Sequence, residues 1–137
     1  MDDELFKAYR RTTFSAETPL GSIHLRVEQR NEQLVQLLKQ YAATSWAYVT
    51  AFNPGSMVLT AEENLQRQGQ LKDSLLREGL TFFPGAGVGD DHQWPPEVSV
   101  LILSISLPRA TELVREFGQN AILSGGVDGV PQLIDCR

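Results

Sequence analysis

The sequence predicts a single domain, residues 1–137, of the α/β (α+β) class, with about three main helices packed on a mixed β-sheet of five to seven strands. Short apolar, β-branched runs alternate along the chain with longer segments in which leucines recur every three or four residues, so strands and helices are interleaved. Of the 137 residues, 42% are hydrophobic and 21% are charged, which is typical of a globular domain with a sizeable core.

The first elements are a short helix over residues 2–10 and a strand pair at 12–16 and 22–27. A clearly amphipathic helix then begins at Asn31, because asparagine is a good N-cap and apolar residues follow at helical spacing. The residues expected on its buried face are Leu34, Leu37, Leu38, Tyr41 and Ala42.

The stretch 46–52 is uncharged and rich in aromatic and β-branched residues, which predicts a buried strand with one face of small side chains suited to a helix. Residues 53–56 (Asn-Pro-Gly-Ser) then form a turn. Thr60 and Glu63 have the spacing of a capping box, so a helix starts there and extends to residue 77 or 78, where Gly79 ends it.

That helix carries polar residues on its apolar side. Its leucines predict a buried face, and three polar residues spaced four apart fall within that face, with Arg67 at its edge. These amides either fasten the 53–56 turn or line a pocket beside it, because an unpaired buried amide costs about 1–3 kcal/mol. The leucines are Leu65, Leu71, Leu75 and Leu76, and the polar residues are Asn64, Gln68 and Lys72.

A glycine-rich segment, residues 84–97, follows a short strand after this helix, and we expect the segment to be an irregular loop. No helix follows it to aim an N-terminus at a phosphate, and Asp90, Asp91 and His92 are more typical of a solvated loop tip than of a metal site. The other elements are strands at 80–83, 98–106 and 121–124, a helix with Pro108 in its first turn that is ended by Gly118, and an edge strand at 131–136.

Charge and cysteine content exclude several functions. The net charge is −5 and no run of Lys or Arg occurs, so we expect no nucleic acid partner and no membrane association. The single cysteine, Cys136, excludes a disulfide framework, and the acidic N-terminus is not a signal peptide. We therefore expect a soluble, cytoplasmic protein that has no metal or cofactor. The oligomeric state stays open.

Five motifs carry a resemblance to a known family. They are Thr50-Ala-Phe-Asn-Pro-Gly-Ser56, Glu63-Asn-x-x-Arg67, Pro84-Gly-x-Gly87, Trp94-Pro-Pro-Glu97 and Glu116-Phe-Gly-Gln-Asn-Ala-Ile122. In this order they resemble the bacterial domain-of-unknown-function family numbered 3293. The resemblance implies a small bacterial protein and suggests that the motifs form one surface, but it implies no activity. Phe52 and Val98 depart from the family pattern, in which Trp and a second acid are common at these positions.

Three function classes follow. The first is a binding domain for a small polar or anionic ligand, since the motifs offer many hydrogen-bonding groups and few reactive ones. The second is an enzyme with Glu97 in an acid-base role and Arg67 stabilising charge. The third is a protein-interaction domain that uses the Trp94-Pro95-Pro96 loop. The candidate ligand-binding residues are Asn53, Ser56, Asn64, Arg67, Trp94, Glu97, Gln119 and Asn120.

Arg67 has two competing interpretations. If the site binds an anion, its guanidinium supplies the charged contact, beside the amides at the start of the helix. Otherwise it forms a salt bridge to Glu63 or Glu97.

Overall fold

The computed structural model describes residues 3–52, 54, 57–89 and 96–137. Within these residues the chain forms four helices and seven strands. In chain order they are α1 (Asp3–Arg10), β1 (Thr12–Thr18), β2 (Gly21–Leu25), α2 (Glu32–Gln40), β3 (Trp46–Val49), α3 (Ala61–Arg77), β4 (Phe82–Gly89), β5 (Glu97–Leu103), α4 (Leu107–Glu116), β6 (Ala121–Gly125) and β7 (Gln132–Asp135). The predicted α/β (α+β) class, with up to seven strands, is confirmed.

The strands form one sheet in the order β2-β1-β4-β5-β3-β6-β7. Every pair of neighbouring strands is antiparallel, so the sheet is not mixed as the sequence suggested. This correction bears on function, because binding crevices at the carboxyl ends of strands are a property of parallel sheets. The topology of the sheet therefore does not indicate where a ligand would bind, and only the arrangement of side chains can.

The two faces of the sheet bury different side chains. Trp46 and Tyr48 of β3 pack on the face covered by α2, while Ala47 and Val49 pack on the face covered by α3 and α4. The alternation follows from the two-residue period of a strand. The prediction that the small side chains of this strand face a helix is therefore confirmed.

The predicted helix starts are also confirmed. Asn31 accepts a hydrogen bond from the Leu34 amide, and Thr60 forms a complete capping box with Glu63. Ser106 caps α4, whose first turn contains Pro108 as expected. Gly79 and Gly118 follow α3 and α4 with φ of 70° and 69°, the left-handed conformation in which a helix ends.

The glycine-rich segment is a strand as far as Gly89, so the loop predicted for residues 84–97 is wrong in its first part, and the strand predicted at 80–83 starts only at Phe82. Gly85 explains why. A Cβ there would lie 1.9 Å from the carbonyl oxygen of Ser15 on β1 and 2.9 Å from the Tyr48 hydroxyl. Glycine is needed in this strand because neighbouring groups approach its backbone closely, and this need depends on tertiary structure.

Other predicted boundaries also shift. The strand predicted at 46–52 ends at Val49, and the one predicted at 98–106 spans Glu97–Leu103. On α3, Leu65 and Leu76 are 60% and 65% exposed, so their predicted burial is wrong. The residues that α3 does bury are Asn64, Gln68, Leu71 and Leu75. No helix in the described part of the chain is both long enough and apolar enough to cross a membrane.

Candidate functional site

The polypeptide turns away from the sheet directly after β3, and the Thr50 hydroxyl controls this turn. Thr50 Oγ1 donates to the carbonyl oxygen of Val98 at 2.7 Å and accepts from the amide of Phe52 at 3.0 Å. The hydroxyl thus forms hydrogen bonds with backbone groups that a continued strand would use to pair with its neighbouring strand. The strand predicted to reach Phe52 stops early for this reason, and residues 50–52 leave the sheet.

Three side chains then hold the departing backbone, and we call Arg67, Gln68 and Gln119 the bracket. Gln68 Oε1 accepts from the Ala51 amide at 3.0 Å, and Arg67 Nε donates to the Ala51 carbonyl oxygen at 2.9 Å. Gln119 Nε2 donates to the carbonyl oxygen of Phe52, also at 2.9 Å. Side chains therefore satisfy backbone groups that have left the sheet ladder.

The bracket also joins this segment to the end of α4. Arg67 Nη2 donates to the Phe117 carbonyl oxygen, and its guanidinium carbon lies 5.7 Å from the centre of the Phe117 ring. A Cβ on Gly118 would lie only 2.9 Å from Cβ of Pro54, so glycine is required here for close packing as well as for its positive φ. The motifs around Phe52 and Phe117 are therefore in direct contact.

Local sequence signals place the bracket. The capping box starts α3 at Ala61, and Arg67 and Gln68 follow almost two turns later, on the side that faces β3. Gly118 ends α4 and turns the chain, so that Gln119 lies beside the same segment, 8% exposed. One helix and one helix end thus approach residues 51 and 52 from two directions.

Gln68 has a donor that no described residue accepts from. Its side chain is 2% exposed, and its Oε1 is committed to the Ala51 amide, which determines the orientation of the side-chain amide. Its Nε2 has no hydrogen-bond partner among the described residues. Leaving such a donor unsatisfied costs about 1–3 kcal/mol, so the group needs an explanation. Asn64, one turn earlier on the same face, is 5% exposed, which confirms its predicted burial.

Glu97 lies apart from the bracket. Val100 packs in the core under α3 and α4, whereas Leu101 packs under α2, and the register of β5 against β4 is regular. The strand period then places the side chain of Glu97 on the α2 face, opposite Arg67. In agreement, the pKa of Tyr9 on α1 is raised to about 12. Burial of the Tyr9 side chain is the main cause, and the negative charge of Glu97 is the next. The predicted pairing of Glu97 with Arg67, for catalysis or as a salt bridge, is therefore not formed.

The remaining candidates divide into two groups. Asn53, Ser56 and Trp94 lie outside the described residues, as do Pro95 and the Asp90–His92 loop tip. Asn120 is half-buried next to Gln119, and its carbonyl oxygen accepts from the Cys136 amide at 2.8 Å, at the end of β7. Within the described ranges, no three His, Cys, Asp or Glu side chains come close enough to hold a metal ion.

The other predicted salt bridge, from Arg67 to Glu63, is not formed either. The Glu63 carboxylate accepts from the amide and hydroxyl of Thr60 at 3.1 and 2.9 Å, and these bonds keep its pKa below the ordinary value. Arg67 bonds to backbone carbonyls instead. Of the bracket residues, the sequence missed only Gln68 as a site residue, although its place in the polar row of α3 was the signal for it.

The comparisons with known proteins bear on the same part of the chain. No curated protein and no solved structure matches this sequence. The model of a family described as "Protein of unknown function (DUF3293)" matches residues 49–122, which include all three bracket residues and the segment they hold. Since this match covers more than half of the 137 residues, the chain belongs to the DUF3293 family of proteins of unknown function.

Proposed function

We propose that the protein is a binding domain for a small ligand that presents hydrogen-bond acceptors, with the site beside the bracket. The observation that carries the proposal is the buried side-chain amide of Gln68, whose Nε2 has no acceptor among the described residues. Because Oε1 accepts from the Ala51 amide, the two N–H groups of Nε2 point away from that contact. A ligand oxygen would satisfy them.

Arg67 supports an anionic ligand. Arg67 and Gln68 both bind the backbone of Ala51: Arg67 Nε donates to its carbonyl oxygen, and Gln68 Oε1 accepts from its amide. The positive charge of Arg67 is therefore close to the side-chain amide of Gln68. The described contacts use two nitrogens of the guanidinium, Nε and Nη2, and a guanidinium carries five N–H donors in all. A carboxylate or a phosphate therefore fits these neighbours better than a neutral carbonyl.

The bracket supplies the rigidity that such a site requires. A binding group contributes most when its rotamer is already held in place before the ligand arrives. Gln68 is held by Ala51, Arg67 by Ala51 and Phe117, and Gln119 by Phe52. Asn53 and Ser56 follow this segment in the sequence and stay candidate ligand contacts on that ground.

A thermal-shift experiment with phosphate, simple carboxylates and a nucleoside phosphate tests the proposal. At a ligand concentration of 100 times Kd, binding stabilises the native state by about 2.7 kcal/mol, so a bound anion raises Tm measurably. We expect this rise in the wild type. We expect Gln68→Glu to abolish it, because the variant keeps the acceptor for Ala51 but replaces the donor with a negatively charged oxygen.

Gln70→Glu is the matched control, since Gln70 is an exposed glutamine on the same helix and adds the same charge. It should retain the anion response of the wild type. Two outcomes contradict the proposal: no anion in the panel raises Tm, or Q68E and Q70E respond equally. A crystal structure with one buried water on Gln68 Nε2, unchanged in the presence of every anion, would assign the amide a structural role instead.

A further inference from the structure

Helix α3 has a second apolar face, which points to solvent. At about 100° per residue, four small or apolar residues fall within roughly 80° of one another, beside the buried face, and the half-buried Lys72 falls within the same arc. Its two leucines are the 60% and 65% exposed side chains described above, and two further exposed apolar residues lie three and four positions before the first residue of the helix. We call this set the outer stripe: Met57, Val58, Ala61, Leu65, Gly69 and Leu76.

Among the described residues, nothing near Gly69 requires a glycine at this position. It lies in the middle of the 17-residue helix α3, where glycine is a poorer helix former than alanine. A Cβ built on it would meet no atom within 4 Å. A glycine on an open helix surface permits another backbone to approach closely, and its neighbours in the stripe are apolar apart from the half-buried Lys72 at one edge. A partner packed on this face would account for both the glycine and the exposed apolar side chains.

We infer that the partner is a second copy of this chain, packed through α3 as an antiparallel pair with Gly69 on the two-fold axis. With a rise of about 1.5 Å per residue, Leu76 lies about 10 Å from Gly69 in one direction and Ala61 about 12 Å in the other. In an antiparallel pair, Leu76 of one copy then meets Ala61 of its partner. It also reaches the Met57–Val58 segment, which leads into the partner's helix.

The charges along α3 select this arrangement. Its first turn carries acidic residues, including the exposed Glu62, and its last turn carries the exposed Arg77. These two side chains lie at nearly equal distances on either side of Gly69, so an antiparallel pair brings each Glu62 near the Arg77 of the other copy. A parallel pair would bring like charges together. A two-fold contact of this kind is self-complementary, as a symmetric dimer requires.

The interface is narrow, because one helix face and a short preceding segment bury less area than a standard interface. The dimer should accordingly be weak and depend on concentration. Analytical ultracentrifugation of the full chain at about 5 to 500 µM is the appropriate measurement. We expect the wild type to move from monomer toward dimer over this range. A wild type that stays monomeric at the highest concentration would overturn the inference.

Leu65→Glu should raise the dimer Kd about tenfold or more, because it places a charge in the stripe. Val127→Glu is the control: Val127 has the same exposure of 60% but lies in the turn before β7. Equal effects of the two substitutions would contradict the proposed face. Gly69→Ala should weaken the dimer while raising Tm in dilute solution, where a merely structural glycine would change Tm alone.

A charge exchange tests the antiparallel register. E62R alone and R77E alone each place like charges together at both contacts, so each should weaken self-association. An equimolar mixture of the two variants places opposite charges together at both contacts and should restore dimerisation, as a heterodimer. Both positions are exposed, and each reversal opposes the helix dipole by only about 0.3–1 kcal/mol, so both variants should fold, which circular dichroism verifies. If the mixture associates no better than either variant alone, the antiparallel pairing through Gly69 is wrong.

Discussion

Helices α2 and α3 cover opposite faces of the same sheet, and they bury different chemistry. The inner face of α2 is entirely apolar, formed by Leu34, Val35, Leu37 and Leu38. The inner face of α3 includes Asn64 and Gln68, while Leu65 and Leu76 of the same helix are exposed. In α2 the apolar pattern and burial coincide. In α3 the two exposed leucines lie about a quarter of a turn around the helix from the centre of its buried face.

The difference shows that the two helices serve different purposes. Burial of leucines on α2 contributes stability in proportion to the apolar area removed from water. On α3, two inner positions are occupied by amides, and Gln68 binds the backbone that leaves β3. On α3, therefore, hydrogen bonds to the neighbouring backbone replace part of the apolar burial, and leucines next to them are exposed. The following predictions test this comparison.

The largest expected effect contrasts one leucine from each helix. Leu38→Ala on α2 should lower the free energy of unfolding by about 2–5 kcal/mol, because it leaves a cavity in a closed core. Leu65→Ala on α3 should change it by less than about 0.5 kcal/mol, because the side chain is exposed. Urea denaturation of both variants at low protein concentration measures the difference. Equal losses would show that the burial of α3 has been assigned to the wrong face.

The next effect concerns the bracket. Arg67→Met should lower the free energy of unfolding by about 2 kcal/mol, because it removes donors from the carbonyl oxygens of both Ala51 and Phe117. Arg77→Met is the control: Arg77 lies exposed on the same helix, and its described contact is to Ser74 at 3.3 Å. Denaturant midpoints measure both variants. If R67M is as stable as R77M, Arg67 does not hold the segment after β3.

The helix caps provide a smaller contrast. Asn31 caps α2 through its Oδ1 on the Leu34 amide, and its Nδ2 also donates to the His24 carbonyl oxygen at 3.0 Å, which joins α2 to β2. Asn31→Ala should therefore cost about 1–2 kcal/mol, toward the upper end for an N-cap, and Thr60→Ala on α3 about 0.5–1 kcal/mol. Thermal denaturation of the two variants ranks them. The reverse order would mean that the second bond of Asn31 contributes nothing.

The smallest effect depends on pH. Glu78, at the end of α3, accepts two hydrogen bonds from Arg109 of α4 at 2.9 and 2.8 Å, which hold the pKa of Glu78 below its ordinary value. A lowered folded-state pKa contributes stability that is present above the unfolded pKa and is lost as pH falls through the folded pKa. Both side chains are about one-third exposed, so the contribution is at most about 1 kcal/mol.

Glu78→Gln should accordingly be less stable than the wild type at pH 7, and the difference should vanish in acid, below the folded pKa of Glu78. Stability curves of both proteins across this range measure the loss. Asp73→Asn, which removes an exposed carboxylate from the same helix, is the control. A difference between E78Q and the wild type that persists unchanged at the acid end would exclude this ion pair as its cause.

Much of the fold could be predicted because its signals are local. Asn31, Thr60 with Glu63, and Gly79 act on backbone groups within one turn, so their effect does not depend on the rest of the chain. The alternation of large and small side chains at residues 46–49 likewise identified the helix-facing side of β3. For the site, the sequence predicted that the polar row of α3, Asn64, Gln68 and Lys72, shares the buried face of the helix; Asn64 and Gln68 are buried and Lys72 is half-buried.

Contacts between residues distant in the sequence decided the rest. Strand order and direction depend on pairings such as β3 with β5 and β6, for which no local sequence pattern is available. In the sequence, Gly85 is typical of a loop. In the structure it is part of a strand, and glycine is needed there because the carbonyl of Ser15 and the hydroxyl of Tyr48 lie close to its backbone. Arg67 had the carboxylates of Glu63 and Glu97 as predicted partners, yet it binds backbone carbonyls 16 and 50 residues away in the sequence.

By itself, then, the sequence determined where helices begin and end, which strand faces are buried, and which helix carries amides inward, because these follow from interactions within a few residues. The tertiary structure alone decided that the sheet is antiparallel throughout, that Glu97 and Arg67 lie on opposite faces, and that the buried side-chain amide of Gln68 has a donor with no partner among the described residues. Each of these depends on which distant groups meet, and the free energy of such meetings is set by packing of the whole sheet.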